Sequence, residues 1–329
     1  MKKLLLNPGP TNTTFKTKVA QWLGSDVCHR TEEFSSLLKN VKIRLLERFG
    51  DVGFNASLLG GSGPLGLEAM ITSLFPRETI HIINAGIYGA RAIKICQTYN
   101  LNYIEVSANN IDSLAADTSV KNLFFVENET TTGEKFCPYI MRNLFPNARL
   151  FIDATSAFGS SCYEGLYNNI AAICFCGNKC LQSTPGVSVV IYSNKSQLYE
   201  RSFYSSLSHY EGDNIPFTLP TQSIYALNSA LDQNINNAKT LNKRRDRLIS
   251  ALKKLQIYCI NKYPCNSILG FQHPTLNYQK LAELLESHNI IIYSPVPDIK
   301  NSFRLSTMSS DFDKKFKFLI RKLHDSCLH

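Results

Sequence analysis

The sequence predicts an α/β protein, with a large domain around a mainly parallel, seven-stranded sheet and a smaller α+β C-terminal domain. Three observations predict it. Seven short runs rich in β-branched and aromatic residues recur through the first two-thirds of the chain. Several are apolar on both faces, as strands covered by helices on both sides must be. Segments with helical periodicity alternate with some of these runs, the pattern of βαβ units and hence of parallel strands. After Tyr192 the texture changes to long helical stretches with a few strand-like runs.

In chain order the strand candidates are 57–59, 80–83, 103–106, 123–126, 150–152, 171–175 and 187–191. Between them, 34–49, 65–75 and 88–99 return apolar residues every three or four positions and read as helices. Residues 221–255 carry a long helical pattern with few breakers and read as a connector between domains. Runs 290–293 and 303–305 read as strands and 312–323 as a final helix. The expected organisation is a large domain over 16–240, a small one over 241–329, and an N-terminal segment, 1–15, joined to them.

Hydrophobic residues at 44% and charged residues at 19% of 329 fit an ordinary folded chain rather than a disordered one. No apolar run approaches the roughly eighteen residues that span a bilayer. The apolar stretch Leu4-Leu5-Leu6 stops short of Pro8, too short for the core of a signal peptide. A cytoplasmic location with no membrane partner is therefore expected. The ten cysteines include no Cys-x-x-Cys pair, and Cys174 and Cys176 fall in one apolar run, so free thiols and no metal site are expected. The formal charge of +9 is dispersed. Its tightest cluster, Lys243, Arg244, Arg245 and Arg247, lies on a helical stretch and reads as a solvated face, which argues against a nucleic-acid partner. A positive surface instead suits small anionic molecules.

Asp153 closes the 150–152 run and opens a turn, and Lys179 follows the 171–175 run ahead of a Pro185-Gly186 turn. A carboxylate and a lysine on the rims of two strands of one sheet are the minimal equipment for holding pyridoxal phosphate. The amine forms an imine with the aldehyde, and the carboxylate keeps the pyridine nitrogen protonated. Blander readings stand beside this one, a helix cap for Asp153 and a solvated loop position for Lys179. Gly60-Gly61-Ser62-Gly63 joins a strand to a helix and has the form of a phosphate cradle, because glycines admit an anion to backbone N–H groups at a helix start. A plain turn has the same form. Tyr88, in Asn84-Ala85-Gly86-Ile87-Tyr88-Gly89-Ala90-Arg91, could lie on a flat cofactor or pack as a helix-start aromatic. Glu129-Thr130-Thr131-Thr132-Gly133 offers a row of hydroxyls for a ligand or for capping a turn. Arg304 sits inside an apolar run, costly without an anion, and is the candidate bidentate clamp for a substrate carboxylate or phosphonate. Cys180 with His209 as a thiol pair, or His29 with Arg30 as a hydrolase or metal site, has no supporting local signature.

Taken in order, these segments resemble the class V branch of the fold-type I pyridoxal-phosphate-dependent aminotransferases. The likeness also takes in Asn7-Pro8-Gly9-Pro10, Cys28-His29-Arg30-Thr31-Glu32-Glu33-Phe34, Asp153-Ala154-Thr155-Ser156-Ala157-Phe158-Gly159, Asn178-Lys179-Cys180-Leu181-Gln182 and Phe217-Thr218-Leu219-Pro220-Thr221, and so runs over nearly the whole chain. Within the family the Glu-Thr-Thr-Thr-Gly, Asn-Lys-Cys-Leu-Gln and Phe-Thr-x-Pro-Thr segments are most similar to the 2-aminoethylphosphonate:pyruvate branch, with the alanine:glyoxylate and serine:pyruvate branch next.

The resemblance implies a fold-type I transferase acting as a homodimer, with the active site shared between subunits. Lys179 would carry the imine, Asp153 would face the ring nitrogen, Tyr88 would stack on the ring and Thr130 would touch its polar edge. Gly61, Ser62, Gly63 and Asn178 would hold the phosphate, joined by Thr218 of the second subunit. Arg304, near Gly9 and Pro10, would bind the acceptor's carboxylate. The implied reaction moves an amino group from an amine donor, 2-aminoethylphosphonate, to a 2-oxo acid, pyruvate, giving phosphonoacetaldehyde and alanine. Transamination of alanine or serine with glyoxylate or pyruvate is the alternative; a non-catalytic binding protein would need neither Lys179 nor Asp153. The chain departs from the phosphonate pattern in a trimmed 205–216 stretch, in Pro216 where an arginine is frequent, and in Ser183 where a glycine is common. These departures bear on the donor and leave the cofactor residues intact.

Overall fold

The computed structural model describes residues 3–50, 53–108, 111, 116–233 and 236–327. The chain opens with β1 (Leu4–Leu5), α1 (Phe15–Trp22) and α2 (Glu32–Phe49). In α2, Phe34, Leu38, Val41, Leu45 and Phe49 fall on one stripe and are buried, while Glu32 and Glu33 place negative charge at the positive end of the helix. Next come β2 (Phe54–Gly60), α3 (Gly63–Leu74), β3 (Ile80–Asn84), α4 (Ile87–Thr98), β4 (Tyr103–Ser107) and β5 (Asn122–Val126). A short hairpin, β6 (Asn128–Glu129) and β7 (Glu134–Lys135), leads to α5 (Pro138–Leu144) and then to β8 (Arg149–Asp153), β9 (Ile170–Cys176) and β10 (Val187–Ser193).

Each of the seven expected runs lies within a strand of one seven-stranded sheet, ordered β2-β10-β9-β8-β5-β3-β4. β10 runs antiparallel to both of its neighbours, and the other pairings are parallel. Six strands therefore point the same way. Their carboxyl ends bring Gly60, Asn84, Val126, Asp153 and Cys176 to one edge of the sheet, which is where an open α/β sheet forms its crevice.

Apart from the edge strand β4, both faces of the sheet are largely buried. Leu58, Phe125, Leu150, Ile152 and Phe175 face one core with α2, and Leu59, Phe124, Phe151 and Cys174 face the other with α3 and α4. Such double burial explains why the strands read as unbroken apolar runs. Phe158 stacks on Phe175 with ring centroids 3.7 Å apart, so the turn after Asp153 is pinned to the strand that leads to Lys179. Each such ring contributes roughly 1.5–3 kcal/mol by burial.

The long helical pattern after 221 corrects to two helices, α6 (Thr221–Gln233) and α7 (Ala238–Lys253). The Asn237 side chain accepts the Thr240 N–H at 2.9 Å, and an asparagine in that position starts a new helix even where the apolar period runs on. The basic cluster on α7 is not wholly a solvated face either. Arg244 is 5% exposed and donates to Asp313 Oδ2 at 2.8 Å, Thr307 O at 2.9 Å and Asn236 Oδ1 at 3.1 Å. It serves as a buried brace between α7 and the C-terminal region.

β11 (Tyr258–Cys259), β12 (Ile268–Gln272) and β14 (Ser302–Ser306) form an antiparallel sheet, accompanied by α8 (Tyr278–Ser287), β13 (Ile290–Ile291) and α9 (Phe312–Cys327). A third core gathers Leu248, Leu252, Phe271, Leu285, Phe303, Leu305 and Leu319. Leu4 and Leu6 belong to it, because β1 pairs with β13 in parallel. Residues 7–12 are thereby carried from this third core to the crevice of the large sheet. Among the described residues no helix is long and apolar enough to cross a membrane.

Candidate active site

Asp153 ends β8, and Lys179 lies just beyond the end of the adjacent β9. Both side chains are buried, 3% and 9% exposed. Lys179 Nζ donates to Ser156 Oγ at 3.2 Å, three residues on from Asp153. Burial pushes the Asp153 carboxyl above its ordinary range, opposed by hydrogen bonds from Thr155 and then by the charges of Lys179 and Arg91. The Thr155 N–H donates to Asp153 Oδ1 at 2.9 Å. Asp153 thus closes its own turn rather than capping a helix. Lys179 is likewise not the solvated loop lysine of the blander reading.

Tyr88 sits in the first turn of α4, its ring centroid 5.7 Å from Lys179 Nζ and 4.9 Å from Arg91 Cζ. Glu129 fixes that turn. Its Oε2 accepts the Tyr88 N–H at 3.2 Å and its Oε1 accepts the Thr131 N–H at 3.0 Å, while Thr131 Oγ1 accepts the Ile87 N–H at 3.2 Å. A Cβ on Gly86 would lie 2.8 Å from Glu129 Cδ and collide with the Thr131 hydroxyl, so only glycine lets α4 start this close to β6. Burial pushes the Glu129 carboxyl up, opposed first by the bonds from Thr131 and then by that from Tyr88. Sequence reasoning took the hydroxyls of this segment as its functional content and missed Glu129. The available signal was a lone acid opening a row of threonines at the end of an apolar strand.

Gly61, Ser62 and Gly63 turn from β2 into α3. Ser62 is the N-cap residue, yet its side chain makes no capping bond. The turn abuts the same crevice: a Cβ on Gly63 would meet Thr155 Cγ2 and Cys176 Sγ, each at 3.4 Å. Thr218 lies beside this turn within the same chain, its carbonyl 3.8 Å from the Cβ position of Gly60. The Asn178 carbonyl accepts the Thr11 N–H at 3.3 Å, and this bond draws the N-terminal loop over the lysine. Gly9, with φ of 147°, rests on the Lys179 stem, where an added Cβ would come within 3.0 Å of Cε.

Arg304, in β14 and 4% exposed, reaches the other side of the Thr130 segment. Its Nη1 donates to Thr130 O at 2.7 Å, its Nε to Ser294 O at 2.9 Å, and its Nη2 to Ser294 Oγ at 2.7 Å and Pro295 O at 3.2 Å. The guanidinium also lies 4.5 Å from the centre of the Tyr293 ring. Its fork is held by neutral oxygens, and among the described residues no carboxylate pairs with it. Burial pushes its pKa down, against the raising effect of Tyr293, Tyr88 and Glu129. Thr130 is therefore tied to Arg304 through its backbone, a link the hydroxyl-based reading did not contain.

The thiol alternative fails on geometry. Cys180 donates to Ser156 O at 3.2 Å and burial pushes its pKa up to about 12, while His209 pairs with Glu200 at 2.7 Å. Among the described residues no group of three or more His, Cys, Asp or Glu side chains gathers as a metal site would require.

No family model matches the chain. It is similar to the 2-aminoethylphosphonate–pyruvate transaminase of Bacillus cytotoxicus, 25% identical over 96% of this chain and 96% of that protein. Among solved structures it is similar to a Thermus thermophilus aspartate aminotransferase of subgroup IV, with a TM-score of 0.87 and 19% identity over 98% of this chain and 99% of that one. The alanine–glyoxylate aminotransferase of Nostoc sp. superposes with a TM-score of 0.82 and 19% identity over 100% of this chain and 96% of that one. The chain has the fold of the fold-type I aminotransferases, and the curated proteins it is similar to in sequence are transaminases.

This aminotransferase is an enzyme whose cofactor is pyridoxal phosphate, and its crevice fits that group. Asp153 is a buried carboxyl that no arginine or lysine pairs at contact distance among the described residues, as a cationic ring nitrogen would require. Among the described residues the Lys179 amine has one hydrogen-bond partner, the neutral Ser156 hydroxyl. An N-cap serine without a capping bond opens the α3 terminus, where a phosphate is favoured.

Proposed function

We propose that this aminotransferase moves an amino group from 2-aminoethylphosphonate to pyruvate, giving phosphonoacetaldehyde and alanine. The carrying observation is the placement of two buried groups, the Lys179 amine and the Asp153 carboxyl, at adjacent strand ends in one crevice beside the opening turn of α3. The choice of donor is supported by relatives such as that of Bacillus cytotoxicus, named a 2-aminoethylphosphonate–pyruvate transaminase.

When bound, pyridoxal phosphate supplies an aldehyde that takes up the amino group and a ring that accepts the electron pair of a deprotonated carbon. The chain's residues do the rest. Gly61, Ser62, Gly63 and Asn178 would hold the phosphate, joined by Thr218 from the second subunit. Tyr88, fixed by Glu129, supports the ring face, and Thr130 lines its polar edge. Asp153 keeps a proton on the ring nitrogen. Lys179 Nζ would anchor the aldehyde and, as a free amine, would be the base that takes up the proton from the donor's carbon and gives it back. Arg304, with Pro10 and with Gly9, which rests on the Lys179 stem, would receive the acceptor's carboxylate. Because its fork already binds neutral oxygens, a carboxylate must share or replace one of them, which is favourable for an anion.

Turnover measured with 2-aminoethylphosphonate, alanine and serine is expected to be fastest with the phosphonate; faster turnover with serine or alanine would overturn the donor assignment. In the same assay Arg304→Leu is expected to raise the KM for pyruvate about tenfold to a hundredfold, the worth of a charged hydrogen bond, with less effect on the donor's KM. An unchanged KM for pyruvate would remove Arg304 from acceptor binding.

The same proposal includes a homodimer. Phe15, Trp22 and Phe203 are 82%, 82% and 77% exposed, an apolar display that a second copy would cover. Sizing in solution should give two chains per particle; a monomer would count against a shared site.

A further inference from the structure

We propose that Ser156 is the dock for the free amine of Lys179, holding it at the crevice edge whenever it is not bonded to the cofactor. The proposal rests on Lys179 as the cofactor-bearing amine. The described hydrogen bond of Lys179 Nζ goes to Ser156 Oγ at 3.2 Å, and Ser156 is 4% exposed, so little water competes for the amine. The dock is itself fixed. Ser156 O accepts from Asn128 Nδ2 at 2.9 Å and from Cys180 Sγ at 3.2 Å. Asn128 Nδ2 also donates to Ser267 Oγ at 3.0 Å, which ties this turn to residues of the C-terminal part.

A hydroxyl suits the task because it accepts from an ammonium and donates to a neutral amine. It can therefore hold Nζ in either protonation state, which an amine alternately charged and neutral during transamination requires. A buried carboxylate in the same place would trap the amine in its charged form. A methyl group would leave it to sample rotamers away from the aldehyde. Ser156 is on this view a positioning residue: it acts through Lys179.

The test mixes cofactor-free protein with pyridoxal phosphate and follows the absorbance of covalently attached cofactor with time. Ser156→Ala is expected to attach the cofactor roughly tenfold more slowly, the loss of one hydrogen bond to a charged group. It should lower kcat by a similar factor and leave the KM of both substrates unchanged. Ser156→Thr, which keeps a hydroxyl, should restore the rate. Attachment by Ser156→Ala at the wild-type rate would overturn the proposal. Should a thermal melt show that Ser156→Ala does not fold, the near-isosteric Ser156→Cys decides by the same rate: slowed attachment supports the dock, and wild-type attachment overturns it. Lys179→Ala in the same mixing experiment separates the two levels of inference. If it attaches cofactor like the wild type, the failure lies in the lysine assignment and not in its dock.

Discussion

Lys179→Ala is expected to reduce transamination by a factor on the order of 10⁴ or more, because one side chain serves as both anchor and proton carrier. The fold should survive. Lys179 packs its stem against Gly9 and donates to Ser156, so the substitution removes a few methylenes and one neutral hydrogen bond from the crevice rim. At roughly 0.8 kcal/mol per buried methylene, that loss is modest for a chain of this size. Borohydride reduction of the cofactor-saturated wild type followed by peptide mass mapping should place the adduct on Lys179, and the variant should carry none. Residual turnover within tenfold of wild type, or an adduct on another lysine, would refute the assignment.

Asp153→Asn should lower kcat about a hundredfold to a thousandfold, the usual loss when one preorganised charge is taken from a buried reacting site. The asparagine oxygen can still accept the Thr155 N–H, so the turn is kept and the charge alone is removed. The pH behaviour gives a second readout. Burial holds the Asp153 carboxyl above its ordinary value of 3.8, so the folded protein binds this proton more tightly than the unfolded chain. For an acid raised in the folded state, stability is greatest below the unfolded value and is lost as pH climbs from about 3.8 through the folded value. Glu129, raised from 4.5, has the same sign. Denaturant melts of cofactor-free protein from acid to neutral pH should therefore show Asp153→Asn gaining stability relative to wild type as pH rises. A difference that does not vary with pH would mean that Asp153 is not held in the buried environment described for it.

Much of the fold was legible because its cause is local. β5, β9 and most of β8 and β10 are buried along their length, so their residues had to be largely apolar without alternation, and such runs stand out. The positions of Asp153 and Lys179 followed from the same signal, since a polar residue at the end of a fully buried strand marks the rim of a sheet. The split between α6 and α7 was less visible, because the apolar period continued across it and a single capping asparagine decided the break. Arg244 was misread as solvent-facing because its burial is set by Asp313 and Thr307, far along the chain.

The sequence by itself determined the strands, the two chemical groups at their ends and the glycine-bearing turn, because burial and backbone freedom are imposed residue by residue. Only the tertiary structure decided that β8 and β9 are neighbours, that Glu129 fastens Tyr88, that Arg304 grips the Thr130 carbonyl and that Ser156 meets the Lys179 amine. Those pairings join residues that chain spacing does not place together, and they arise from strand order and from packing between the cores.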